Sequence, residues 1–447
     1  MKRQRREILS ALFMAALPLI ADAAVGRPAE RVPAVLPVRG DRILVLAPHP
    51  DDETLACGGI IQKAVALRVP VHIVFMTYGD DNEWSFFVYR KHPVLEAAAA
   101  EKMGRIRDEE ARRAAAKLGL RPDQLTFLGY PDHGLESIWL DHWSGEPPAV
   151  GGLSRARQVP YPDAYRPGAP YKGEEIISDL EAVLREFHPT KVFLSHPADH
   201  HPDHRSLYAF ACVALWDIEE RLEAPQLFPY LVHFGSWPDP RGLHPTLEAS
   251  PPSALRSGIA WSSEVLKERE VSVKLEALKQ HKTQYESSAP FLGAFIRRTE
   301  LFGDFPEIVA GRGNADPEER RVQVQVRDGR LVIAADGRPG EAKKARFSFR
   351  AFGYRRDVPF GHMPKLRVSI ADGSPKVFKD ANKLDPKTVE VEREGSKLVV
   401  SLPLEALGDP QKVFLGSWTP PGADPTGYFS WKVLVLPSAG PGAGRGR

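Results

Sequence analysis

Two short runs in this 447-residue chain carry side chains able to hold a metal ion and move a proton. The first is Pro48-His-Pro-Asp-Asp-Glu53, entered directly from the apolar run Ile43–Ala47. His49 and Asp52 stand about one helical turn apart, so both can converge on one point where a helix opens. The aspartates have a competing use, because either could cap that helix with its carboxylate. The second run is Ser195-His-Pro-Ala-Asp-His-His-Pro-Asp-His-Arg205, which leaves another apolar stretch and crowds His196, His200, His201 and His204 together. A solvated surface loop is the bland explanation, but histidine so concentrated beside a strand end is uncommon. Together the runs offer the nitrogen and carboxylate ligands that suit zinc. Neighbouring aspartates leave open which of Asp51 and Asp52 ligates and which acts as base. No His-Glu-x-x-His occurs, which sets aside zincin proteases.

The elements that must position these runs follow from apolar patterning. Ile43–Ala47, Val71–Met76, Leu125–Leu128 and Lys191–Ser195 read as buried strands. Helical patterns are predicted over 54–67, 96–118, 174–187, 205–221 and 264–281, with Gly119 ending the second. Strands alternating with helices imply an α/β, Rossmann-like, mainly parallel sheet covered on both faces. Such sheets place chemistry in loops beyond the carboxyl ends of their strands, where both runs fall. The stretch from Trp139 to Lys172 is rich in Pro, Gly, Tyr and Trp without periodicity, and its aromatics suggest a wall or lid over the site.

The texture changes near Asn314. Short alternating runs separated by turn residues, with no helical pattern, predict a C-terminal all-β sandwich over 314–437, and a Gly/Pro/Arg-rich tail follows over 438–447. At the other end, basic residues precede an apolar run from Ile8 to Ile20 and a small-residue Ala21-Asp22-Ala23. That order describes a signal peptide over 1–23, with a linker over 24–40 and the α/β domain over 41–313. The expectation is an exported protein, periplasmic or secreted, with Arg5-Arg6 suggesting the twin-arginine route.

Hydrophobic content of 43% and charge of 26% belong to an ordinary globular chain and not to a disordered one. Cleavage after Ala23 would leave equal numbers of basic and acidic residues and no long Lys/Arg run, so neither nucleic acid nor an anionic membrane is an expected partner. No transmembrane segment is expected once the signal is removed, since the apolar run is short for a span. Two cysteines, Cys57 and Cys212, exclude a disulfide framework and a four-cysteine zinc site. Both lie in apolar, helix-like stretches where a buried free thiol is ordinary, although a single bridge between them stays open.

His49-Pro-Asp-Asp-Glu53 after an apolar strand, with His201-Pro-Asp-His204 downstream, resembles the LmbE-like or PIG-L family of zinc-dependent N-deacetylases. Further matches are Arg107-Asp-Glu-Glu-Ala111, Leu128-Gly-Tyr-Pro-Asp132 and the late run Lys274–Gln284, so the resemblance covers roughly residues 42–305. It implies zinc held by His49, Asp52 and His204, with Asp51 as catalytic base. It also implies that His201, held by Asp203, stabilises the oxyanion or protonates the leaving amine, and that Arg107 contacts a sugar hydroxyl. His281 and Gln284 would line the pocket. Some family members carry a carbonyl-polarising Tyr just before the second motif. Here Asp199-His200 occupies that ground, so either His200 has taken the role or zinc and His201 suffice. The sandwich more loosely resembles the family 9 carbohydrate-binding modules, through Val399–Gly408 and Trp431–Val435, and Tyr354, Trp418, Tyr428 or Phe429 would be its stacking residues. The implied activity is hydrolysis of the acetamido group of an N-acetylated sugar or glycan. The competing readings are a metal amidase on a non-sugar N-acyl compound and a non-catalytic glycan-binding protein.

Overall fold

Ile43–Ala47 forms strand β1, buried along its whole length. Hydrophobicity on both faces is what a central strand of a covered sheet requires. The computed structural model describes residues 35–82, 88, 96–256, 259–305, 307–310, 322–336, 347–371, 374–380, 382–394, 397–418 and 431–436. The signal-peptide expectation over 1–23 and the tail over 438–447 lie outside them, as do Tyr428 and Phe429. No helix among the described residues is long and apolar enough to cross a membrane.

The chain runs from β1 through helix α1 (Asp52–Ala66), β2 (Val71–Thr77), α2 (Ala97–Lys117), β3 (Leu125–Tyr130), α3 (Leu135–Asp141), α4 (Gly173–Phe187), β4 (Lys191–Ser195), α5 (Pro202–Asp217) and β5 (Gln226–Tyr230). Then come β6 (Trp261–Val265), α6 (Glu268–Leu278), α7 (Lys282–Leu292) and β7 (Thr299–Gly303). The sheet order is β3-β2-β1-β4-β5-β7-β6, with β1 to β5 parallel and β7 antiparallel to both neighbours. The strand order reverses between β1 and β4, and the loops after those two strands therefore flank a crevice. That is where the two chemistry-bearing runs meet. The described contacts put α6 against α1 and α2, and α4 against α5.

Two elements differ from the sequence expectation. The helix read from Glu264 begins instead at Glu268, because Trp261–Val265 pairs antiparallel with β7. Lys267 N–H donates to Glu270 Oε2 at 2.8 Å and starts the helix there. Helix α5 begins at Pro202 and not at Arg205, since proline lacks only an N–H that a first turn leaves unpaired anyway. Its cap is His201, whose Nδ1 accepts from Asp203 N–H at 3.2 Å. Both cysteines are buried and free.

After β7 the chain builds two sheets, as the alternating pattern predicts. One has the order β15-β16-β10-β9 and the other β14-β13-β12-β11-β17-β18-β8. The strands are β8 (Ile308–Val309), β9 (Val322–Arg327), β10 (Arg330–Asp336), β11 (Phe347–Tyr354), β12 (Lys365–Ala371) and β13 (Ser374–Lys379). They continue with β14 (Asn382–Lys383), β15 (Glu390–Glu394), β16 (Lys397–Pro403), β17 (Lys412–Trp418) and β18 (Trp431–Val435). The second sheet thus draws in β8, ahead of position 314.

The sandwich does not sit apart. Trp139 of α3 has the rings of Phe352, Phe360, Phe414 and Trp431 within 5.0–5.8 Å of its own. Trp216 of α5 packs on Tyr354 and Phe414 at 4.9 and 5.2 Å, and these rings belong to the same continuous core as the α/β sheet. Tyr354 is therefore buried in this seam, with its hydroxyl donating to Asp217 at 2.9 Å, and is no surface platform for a sugar.

Lys365 lies in the seam, 4% exposed. Its ammonium donates to the carbonyls of Phe360 and Met363 at 2.7 and 3.1 Å and lies over the ring of Trp143 at 4.5 Å. Burial pushes its pKa down to about 7, against the pull of Asp380 and Glu174. The unfolded chain keeps this lysine protonated up to its ordinary value of 10.5, so between about 7 and 10.5 the unfolded state binds more protons and stability rises with pH. Lys365→Met should accordingly stabilise the protein most near pH 6. That advantage over wild type should shrink by about 2–4 kcal/mol toward pH 10 in urea titrations. A pH-independent difference would show that the carbonyls and rings hold the charge without penalty.

Candidate active site

At the head of α1 the backbone is bent to present Asp51. Its φ of 135° is one that L residues rarely adopt. The bend is held because Thr54 and Leu55 N–H donate to the Asp51 carbonyl and Asp51 N–H donates to Glu53 Oε2 at 2.9 Å. Arg107, buried in α2, reaches the same turn. Its Nη2 donates to the Pro50 carbonyl at 2.7 Å and lies 3.5 Å from Asp51 Oδ2, while Nη1 donates to the Gly79 carbonyl at 2.8 Å. Gly79 has φ 67°, and a Cβ there would stand 2.1 Å from the guanidinium, so this approach requires glycine. Burial raises the Asp51 pKa to about 7, with Arg107 and His281 opposing and Asp52 and Glu53 assisting.

Asp52 faces the other way. Its Oδ2 accepts from His49 N–H at 3.0 Å and lies 3.3 Å from both His49 Nδ1 and His204 Nε2. Each imidazole has a carboxylate behind it. His49 Nε2 is 3.1 Å from Asp132 and 3.2 Å from Asp203, and His204 Nδ1 is 3.3 Å from Asp199 Oδ2. His204 is fully buried, yet neither of its ring nitrogens has a partner in hydrogen-bond geometry. Although burial opposes ionisation, His204 and His49 hold the Asp52 carboxyl well below its usual range.

These residues fit a divalent cation. Metal–nitrogen and metal–oxygen bonds of about 2.0–2.1 Å in a tetrahedron set neighbouring ligand atoms about 3.3 Å apart, which is the spacing around Asp52 Oδ2. The unbonded His204 nitrogens, the crowd of buried carboxylates and the carboxylate behind each imidazole point the same way. Three sets have donor atoms within 4.8 Å of one another: His49, His201 and His204; Asp52, His204 and His233; and His49, Asp132 and Asp203.

The cluster opens into a cavity of about 340 Å³. Among its lining residues, Asn82, Arg107, Asp132 and Gln284 offer polar groups, and Leu55, Phe291 and Leu292 an apolar wall. Asn82 Nδ2 donates to Gln284 Oε1 at 2.8 Å. His201 reaches the cavity as well. Its Nδ1 accepts a backbone N–H, so in the neutral ring the proton sits on Nε2. Burial and the neighbouring His49, His204 and His233 push its pKa well below the usual value, which keeps it neutral.

Several sequence expectations land elsewhere. His200 does not line the cavity: its ring lies 4.3 Å from that of Phe234 and its Nδ1 accepts from Gly235 N–H. His281 stands behind Asp51, bonded to Glu53 at 3.1 Å and outside the lining. The Asp203 carboxylate accepts from His133 and Leu135 N–H and faces His49; only the main chain of Asp203 touches His201. No residue of the aromatic stretch 139–172 lines the cavity. Trp139 and Trp143 face the sandwich, and Tyr161 stacks on Tyr78 with ring centres 3.7 Å apart and donates to Asp80.

Several participants were not assigned a role from sequence, among them Asp199, Asp132, His133 and His233. Asp199 accepts from His201, Val232 and His233 N–H besides facing His204. His133, after β3, and His233, after β5, line the cavity. Position at a strand's carboxyl end was the available signal for both, and Asp199 stood inside the second motif.

Residues 44–215 match the family model described as PIG-L, GlcNAc-PI de-N-acetylase. This stretch is a PIG-L domain. It contains His49, Asp51, Asp52, Arg107, His201 and His204, whereas His233, Gln284 and Phe291 lie beyond the matched residues. The 1D-myo-inositol 2-acetamido-2-deoxy-alpha-D-glucopyranoside deacetylase of Mycolicibacterium smegmatis is 34% identical over 165 residues, 36% of this chain and 49% of that protein. The protein of that name from Actinosynnema mirum is 33% identical over 185 residues, 40% of this chain and 58% of its own. The chain thus spans about half the length of the curated relatives it matches. Among solved structures, N,N'-diacetylchitobiose deacetylase from Pyrococcus horikoshii, complexed with an inhibitor, aligns over 59% of this chain and 82% of its own. The identity is 20% and the TM-score 0.35.

Proposed function

We propose that the protein is a zinc-dependent hydrolase that removes the acetyl group from an N-acetylated amino sugar, in a GlcNAc- or GalNAc-containing glycan, and releases acetate. The observation that carries this reading is Asp52 set between two carboxylate-backed histidines, with Asp51 turned toward the same cavity. The PIG-L match and the sugar deacetylase activity for which the relatives are named support the substrate class.

His49, Asp52 and His204 would hold the ion. When bound, it supplies Lewis-acid polarisation and lowers the pKa of a coordinated water toward about 7. Asp51, braced by Arg107, takes a proton from the attacking water as its oxygen bonds to the acetyl carbon. The C–N bond then breaks, and the proton on Asp51 passes to the leaving amine. His201, neutral and with its Nε2–H free to donate, stabilises the negative charge that builds on the carbonyl oxygen. A neutral imidazole is a poor proton source, so charge stabilisation suits His201 better than general-acid work. Asn82, Arg107, Asp132 and Gln284 offer hydrogen bonds to sugar hydroxyls, and Phe291 offers an apolar face.

Asp199→Asn keeps one of the two oxygens that accept backbone N–H bonds and removes the charge facing His204. Zinc affinity should fall about 10–100-fold in chelator competition, with the fold intact. Unchanged affinity would mean that His204 is positioned without Asp199. The function itself is tested by acetate release from N-acetylated mono-, oligo- and polysaccharides. Release of a longer acid from a non-sugar amide, with none from sugars, would replace the substrate class while retaining the chemistry.

A further inference from the structure

His233 is the cavity residue furthest from any sequence signature, and its surroundings are built. Its N–H donates to Asp199 Oδ2 at 2.9 Å and its carbonyl accepts from His200 N–H at 2.6 Å, which fixes the backbone on both sides of the ring. The ring lies 4.9 Å from that of His204, 5.2 Å from that of His201 and 5.4 Å from that of Phe291. One of its nitrogens is within 4.8 Å of the ligating atoms offered by Asp52 and His204. Asp199 thus ties together the backbone of His201, the backbone of His233 and the ring of His204.

We infer that His233 is a catalytic residue, the second of two imidazole N–H donors that, with His201, bind the carbonyl oxygen of the scissile acetamide. The inference rests on the deacetylase reading. His201 and His233 face the cavity from the loops after adjacent strands β4 and β5, with ring centres 5.2 Å apart. That spacing leaves room for one oxygen within about 2.7–3.1 Å of a nitrogen on each ring. The oxygen gains negative charge as water adds and loses it as the C–N bond breaks, and neither imidazole needs to change its protonation. His200, the other candidate for this work, lies against Phe234 outside the lining.

The test uses full-length, zinc-loaded wild type, His233→Ala and His233→Gln. Metal content, kcat and KM on N-acetylglucosamine oligomers would be measured. Calorimetric affinity would be taken for glucosamine carrying a methylphosphonyl group in place of acetyl, a mimic of the tetrahedral oxyanion. His233→Ala should keep its zinc and its KM within about threefold, and lose about 10²–10³-fold in kcat. It should lose about 10²-fold in affinity for the phosphonyl mimic, and His233→Gln should recover part of both losses because an amide N–H can donate. Loss of zinc from His233→Ala would overturn the inference by making His233 a ligand. Equal weakening of mimic and substrate would reduce it to a structural residue. A wild type that releases acetate and prefers the mimic, with a variant that does both equally well, overturns the role of His233 alone. A wild type that does neither overturns the deacetylase reading with it.

Discussion

Asp51→Asn is expected to retain the bound ion and to lose about 10²–10⁴-fold in kcat, the usual worth of a positioned general base. Asparagine keeps the shape and the main-chain bonds of the turn at Pro50–Glu53, but it cannot take a proton from water. The ion should stay because Asp52, and not Asp51, lies 3.3 Å from a nitrogen of both His49 and His204. Asp51 instead faces Arg107 at 3.5 Å. His204→Ala, by contrast, should lose metal and activity together. Metal analysis and kcat on the two variants separate the roles, and an Asp51→Asn protein without metal would show the aspartates exchanged.

Removing the sandwich is expected to abolish folding. Contacts between domains of one chain are commonly modest, which would make the two units separable. The aromatic seam argues otherwise. A chain ending before Ile308 would expose Trp139, Trp143 and Trp216, which pack on Phe352, Tyr354, Phe360, Phe414 and Trp431. Trp139→Ala in the full chain should itself cost about 3–5 kcal/mol. The truncated protein should be insoluble or melt without a cooperative transition. A soluble, cooperatively melting chain with full kcat on a small sugar would contradict this.

The sheet and both motif-bearing loops were legible because buried parallel strands announce themselves as unbroken apolar runs, each delivering a polar cluster at its carboxyl end. Ile43–Ala47 leading into His49 and Lys191–Ser195 leading into His201 are of that kind. Strand β5 was hidden by Pro229, which removes an N–H and argues against an interior strand, and with it went His233. Strand β6, Trp-Ser-Ser-Glu-Val, is half polar because it lies at the sheet edge, so it blurred into the following helix. The Trp139–Lys172 stretch was misplaced for a deeper reason. Aromatic content says that a surface must be covered but not by what, and here Trp139 is covered by the sandwich. Asp199 and Asp132 could not be distinguished from loop carboxylates until their distances to His204 and His49 were known.

The most direct test of the central claim is acetate release from N-acetylated amino sugars by metal-free protein titrated with zinc. Acetate and free amine should appear in equal amounts, only once zinc is added, with activity saturating at about one ion per chain and absent from His204→Ala at every zinc concentration. Zinc-loaded wild type that releases no acetate across mono-, oligo- and polysaccharides, or His204→Ala that releases it at the wild-type rate, would contradict the assignment of this site.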